Sequence, residues 1–246
     1  MAILYSGALP PGALVRPDPV PPATIWLTAR AADLEFLPDD AGRVIGWRAQ
    51  QATGIAAQAV AANLGGTVFH PPALRFATAQ NGGLVLNGVI ADANTLTFGL
   101  IFRAGPDAGR TLLALQPLAQ GESLFLDAQG DDLRLAQKGG KAELTLHADG
   151  AGAQATLVLC ALADGQAWLA VNGGQAVQRR FSLDMHGPAD LFIGCRGPRS
   201  GLHNKLGSFA LSDVLLWPGQ NLLARADDPA LHGAIALWHE RARLGL

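Results

Sequence analysis

The chain has 246 residues, 49% of them apolar and only 15% charged, with a formal net charge of −2. That length supports one large core without disulfide staples, and the near-neutral charge argues against nucleic acid, whose binding relies on neutralising several phosphates. No run of 18 apolar residues occurs, which leaves no candidate for a membrane-spanning helix.

The first stretch, "MAILYSGALPPGALVRPDPVPP", lacks the positive n-region and unbroken apolar core of a secretory signal, so synthesis in the cytoplasm without export is expected. Six prolines lie between residues 5 and 22. Proline fixes φ and removes a donor, so this segment reads as an extended arm over residues 1–22, followed by one domain over 23–246. The apolar residues Ile3, Leu4, Tyr5, Leu9, Leu14 and Val15 suit docking on a neighbouring subunit or particle, another copy of the chain included; a floppy leader is the other reading.

From Thr24 onward short apolar runs alternate with Gly, Asn and Asp clusters, the pattern of strands and turns. "TIWLTA" and "GRVIGWRA" come first, then an Ala-rich piece to Gly66 that reads as partly helical or irregular. "LRFAT" and "GLVLNG" flank Gln80-Asn-Gly-Gly83, a hairpin signal. "NTLTFGLIFRA" places Leu96, Phe98, Leu100 and Phe102 on one face, as expected of a strand with one buried side. "RTLLALQP", "ESLFLDA", "DLRLAQ", "AELTLHA" and "ATLVLCALA" continue the series. Asp164-Gly165 and Asn172-Gly173 then bracket the strand Gln166 to Val171, since both dipeptides tolerate positive φ. "RRFSLDM", "ADLFIGCRG" and "GSFALSDVLLWPG" complete at least twelve strands.

Turns this short call for antiparallel pairing and an all-β jelly-roll sandwich. Asp228-Pro229 then caps a short C-terminal helix with Leu231, Ile235 and Trp238 at helical spacing. Cys160 and Cys195 sit in apolar runs and read as buried free thiols.

No Gly-x-Ser-x-Gly elbow, Walker loop or metal-type Cys/His spacing occurs. The loop "CRGPRSGLHNKLGS" is different. Arg196, Arg199, His203, Asn204 and Lys205 lie among glycines at a sandwich rim, where binding function concentrates, and these side chains suit hydroxyl and carboxylate groups. A plain solvated turn is the other reading. "RAGPDAGRT" is a second candidate loop.

The order of "IWLTARAADL", "RVIGWRAQQATG", "LRF…LVLNG", "DGQAWLAVNGG", "LFIGC" and "GSFALSDVLLWPGQNL" resembles the concanavalin A-like lectin/glucanase superfamily, in particular its laminin-G-like branch. The resemblance implies that Leu169 and Val171 point between two sheets, with Trp168, Ala170 and Asn172 on the opposite face. Trp168 and Asn172 then join the rim loop as candidate sugar contacts, with packing under a loop or the helix as the alternative for Trp168.

Glucanases of the superfamily carry Glu-x-Asp-x-Glu along one strand. The four glutamates here, Glu35, Glu122, Glu143 and Glu240, each lack a second acid two residues away. A non-enzymatic, lectin-like glycan-binding module is therefore expected, without a cofactor. Calcium is the one metal the resemblance suggests, although the pairs Asp39-Asp40, Asp131-Asp132 and Asp227-Asp228 read more simply as turn formers. A lectin-like domain with a Pro-rich arm and no export signal fits the surface of a phage-like particle, as a spike or fibre that attaches to host polysaccharide. A structural decoration protein that uses the sandwich only for assembly is the alternative; a glycoside hydrolase ranks below both.

Overall fold

A computed structural model describes residues 25–60, 66–78, 80, 82–105, 110–119, 123–139, 142–150, 154–181, 185–198 and 205–246. The Pro-rich arm lies outside them. Among the described residues seventeen strands form one antiparallel hydrogen-bonded network folded into two layers. In chain order they are β1 (Ile25–Thr28), β2 (Leu34–Leu37), β3 (Asp40–Arg48), β4 (Ala56–Ala59), β5 (Val68–His70) and β6 (Ala73–Phe76). Next come β7 (Leu84–Ile90), β8 (Leu96–Ala104), β9 (Thr111–Pro117), β10 (Leu124–Gln129), β11 (Asp132–Gln137) and β12 (Glu143–His147). The last are β13 (Thr156–Ala163), β14 (Gln166–Val171), β15 (Val177–Arg180), β16 (Ala189–Ile193) and β17 (Phe209–Pro218), followed by helix α1 (Pro229–Arg243).

One layer runs β15-β14-β13-β8-β17, and β17 pairs on its far side with both β6 and β1. The other runs β12-β11-β10-β9-β16-β7-β4-β3-β2. Among the described residues the layers are joined where β3 meets β5, through Arg43 and Val68, and by the bridge from Leu27 of β1 to Ala49 just past β3. Alternate side chains of both layers meet in the main core: Leu96, Phe98, Leu100 and Phe102 of β8 face Leu113, Leu115, Leu126, Leu133 and Leu191 of the opposite layer. The all-β sandwich with a C-terminal helix is thus the observed architecture.

Several local expectations are corrected. β8 is buried on both sides, because α1 covers the outer face of its layer and seals a second core around Trp26, Ile101, Leu157, Leu215, Trp217 and Leu237. The Ala-rich piece contains a strand, β4, held between β3 and β7; pairing on both sides overrides alanine's helix preference, and small Ala57 fits the packed interior. "LRFAT" and "GLVLNG" do not pair, since β6 belongs to the helix-covered layer and β7 to the other. Gly82 there serves close approach, because a Cβ would lie 2.7 Å from the Thr67 backbone nitrogen.

α1 begins as its sequence dictates, with the Asp228 carboxylate accepting from the Ala230 N–H at 2.8 Å. Its buried line is Ala230, Ala234, Leu237 and Arg241, however, with Leu231, Ile235 and Trp238 only partly covered. The alanines let the helix axis approach the sheet closely. Arg241 then reaches Asp213 of β17, with Nε to Oδ2 at 2.8 Å and Nη2 to Oδ1 at 3.1 Å, and also donates to Thr28 Oγ1. The Trp26 indole N–H completes the set on Asp213. This buried network fastens the helix to the sheet.

Candidate functional site: a cationic cleft on the uncovered layer

Among the described residues α1 packs on the first layer and leaves the outer face of the second open. On β10 the inward residues are Leu124, Leu126 and Ala128, so alternation turns Phe125 and Asp127 outward. Arg134 of β11 and Thr145 of β12 point the same way, because Leu133, Leu135 and Leu144 face the core. Phe125 joins Val60, Val85, Ala114, Phe192, Cys195 and Leu206 in a small apolar cluster on this face, part of it supplied by the flanks of the rim loop. Burial in this cluster pushes the Cys195 thiol up to about 12, and the thiol of Cys160, in the main core, is raised further by the same cause. Both are free cysteines and inert as nucleophiles.

Above the cluster sits a charged knot centred on Asp127, whose side chain is 8% exposed. Arg196 Nη2 donates to both Asp127 oxygens at 2.7 and 3.0 Å, and its Nε donates to Thr111 Oγ1 at 2.8 Å. Thr111 in turn donates to Asp127 Oδ1 at 3.1 Å. From the other side Arg134 Nη2 reaches Asp127 Oδ2 at 3.0 Å while Nη1 stands 3.6 Å from Glu143. The Arg196 guanidinium lies 4.3 Å from the centre of the Phe125 ring, a stacked cation–π contact. Such charge-assisted, two-pronged contacts fix geometry as well as contributing energy.

These groups line an open cleft of about 450 Å³, walled among the described residues by Arg110, Asp127, Asp132, Arg134, Arg196 and Lys205. Four cationic side chains there face Asp127 and Asp132, with Glu143 beside Arg134 as a third carboxylate. A shallower hollow of about 300 Å³ continues past Arg196 over Phe125, Gln116 and Ser123. At the cleft's edge Asp132 holds His147, Nδ1 to Oδ1 at 2.9 Å, and Asp149 holds its Nε2 at 3.0 Å; these partners, chiefly the Asp132 hydrogen bond, raise the imidazole pKa above its ordinary value.

The residues singled out in the sequence are divided by the structure. Arg196 and Lys205 stand at this cleft, with Arg196 spent largely on anchoring the loop. Arg199, His203 and Asn204 lie outside the described residues. The second candidate loop ends here too, through Arg110 and Thr111, so both loops converge on Asp127. Trp168 is elsewhere: β14 belongs to the helix-covered layer, and its indole faces the space beside α1. Asn172 has a turn role, with φ of 52° and a side chain that accepts from the Leu157 N–H at 2.9 Å. Asp127 and Arg134 carried no sequence signal beyond their outward position on alternating strands. Among the described residues no group of three or more His, Cys, Asp or Glu could hold a metal ion.

No protein-family model matches the chain, and no curated protein matches it. Solved structures do. Trypanosoma rangeli sialidase in complex with sialic acid aligns at 15% identity with a TM-score of 0.61, covering 87% of this chain and 33% of that one. The same sialidase in complex with a difluoro-KDN compound gives 15% identity and a TM-score of 0.59, covering 88% and 32%. The botulinum neurotoxin type G receptor binding domain aligns at 9% identity with a TM-score of 0.57, covering 86% and 50%. The chain therefore spans about a third of the sialidase chains and half of the neurotoxin domain. At these identities the likeness shows the fold alone, an all-β sandwich. The expectation of a chain outside the enzymes is corrected on this ground: the matched sialidases are enzymes, and a missing Glu-x-Asp-x-Glu strand does not separate this fold from theirs.

Proposed function

We propose that this chain is a carbohydrate-binding β-sandwich whose ligand is an acidic polysaccharide held in the cleft around Asp127. The observation that carries the reading is the surplus of cationic side chains there, on the face opposite the one that α1 covers. Arg134, 44% exposed, and Lys205 present donors toward the cleft, while Asp127 and Thr111 hold Arg196 in one orientation. A guanidinium fork matches a carboxylate or sulfate in geometry, and an ammonium adds a point charge. The open shape suits a chain that passes through. Support also comes from a structural relative solved with sialic acid, itself a sugar acid.

The finer reading places the module on the surface of a phage-like particle, attaching it to host polysaccharide, with residues 1–22 joining it to other subunits. Its support is the composition of that segment, six prolines with interspersed apolar residues. The test is a glycan array of acidic and neutral polysaccharides probed with wild type and Arg134→Gln. Binding to acidic spots that is reduced in the variant is the expected result; acidic spots left unbound, or bound equally by the variant, overturn the reading.

A further inference from the structure

A second cleft, of about 700 Å³, opens on the opposite outer face of the sandwich. Ile235 packs on Gly173, and the Trp238 N–H donates to the Ala155 carbonyl at 2.8 Å, while a gap stays open between the helix and strands β14 and β15. Trp168 stands half-buried in that gap, directly opposite Gln178 in the β14–β15 register. Gln175 and His232 stand at the same opening, and Leu231 and Ile235 form the helix side. Among the described lining residues none is Asp, Glu, Lys or Arg. The chemistry is therefore the reverse of the Asp127 cleft: one flat aromatic wall, amide donors and acceptors beside it, and no fixed charge.

We propose that this second cleft holds a neutral pyranose unit, its apolar C–H face on the Trp168 indole and its hydroxyls toward Gln175 and Gln178. An indole accommodates a flat, amphipathic body with a polar rim, and a side-chain amide offers both donor and acceptor to a hydroxyl. A charged ligand would find no counter-charge among these side chains, and a purely apolar one would leave the amides unpaired. The site is separate from the cationic cleft and stands or falls independently of it.

Intrinsic fluorescence reads the site directly. Trp26, Trp47 and Trp217 are buried, and Trp238 is tied to a backbone carbonyl, so a change at the cleft reports chiefly on Trp168. Wild type is titrated with cellohexaose, maltohexaose and laminarihexaose, and with polygalacturonate as the charged probe. The expected result is a saturable emission change with at least one neutral hexasaccharide, absent in Trp168→Phe and retained in Arg134→Gln. By calorimetry Trp168→Ala weakens that binding about ten-fold, from loss of roughly some tens of Å² of stacked area. Gln178 is exposed, so Gln178→Ala gives a second reading without risk to folding, expected several-fold weaker. The inference is overturned if no neutral probe binds, or if binding survives both Trp168→Ala and Gln178→Ala. It is equally overturned if the cleft's signal is self-association, seen as a concentration-dependent emission shift that Trp168→Ala removes.

Discussion

Arg241→Met tests how the C-terminal helix is held. The change keeps most of the aliphatic stem of a side chain that is 8% exposed, but removes the charge facing Asp213, which is 0% exposed. Asp213 then keeps the Trp26 indole N–H at 2.9 Å and loses both guanidinium contacts. Removing one partner of a buried ion pair costs about 3–5 kcal/mol, because the remaining charge stays desolvated. For a chain of this size each kcal/mol lowers the melting midpoint by about 2–4 °C. Replacing both partners, as Asp213→Leu with Arg241→Met, removes the stranded charge; the Thr28 hydroxyl loses its guanidinium donor in either variant, so the double exchanges the stranded charge for an unpaired Trp26 N–H, at about 1–3 kcal/mol. Urea unfolding of wild type, single and double variants should therefore rank the single as least stable, with an unchanged denaturant slope. A single variant within about 1 kcal/mol of wild type, or a double worse than the single, refutes the reasoning.

Asp127→Ala should cost about 2–3 kcal/mol, less than a fully buried pair because Arg134 and part of Arg196 meet water. It should also weaken saturable binding of acidic polysaccharide although the cleft gains positive charge; tighter saturable binding in a titration would contradict the anchoring role of Arg196. At His147 the Asp132 hydrogen bond, with Asp149, raises the folded pKa above 6.5, so the protonated form is the better held. Its contribution is full below that value and fades as pH rises through the folded pKa, so the melting-point gap between wild type and His147→Gln should be visible near about pH 5 and vanish near about pH 8.5. Deleting residues 1–22, with their six prolines, should leave the melting midpoint nearly unchanged, since proline offers no ladder N–H, and on the proposed role should remove any association with other subunits; a large fall in midpoint would place the segment in the core.

Strand positions were legible because alternation and turn dipeptides are local. Asp164 and Asn172 adopt the positive φ that their Gly-flanked positions called for. Layer membership was not legible, since the Gly82 segment carries hairpin residues but uses its glycine for close approach to Thr67. The two charged knots escaped for another reason. Arg196 and Asp127 are 69 positions apart, and Asp213 and Arg241 are 28 apart, so neither pairing follows any strand or helix period. Trp168 lay on the face that alternation assigned to it, but only the path of α1 decides what stands beside that face.

The central claim, an acidic ligand in the Asp127 cleft, is tested most directly by calorimetric titration with polygalacturonate and with the same polymer after its carboxyl groups are reduced to alcohols. Wild type should bind the acidic polymer with an affinity that falls as salt rises and should bind the reduced polymer at least about ten-fold more weakly, and Arg134→Gln should abolish that preference. Equal affinity for the two polymers, or a preference untouched by Arg134→Gln, would contradict the account.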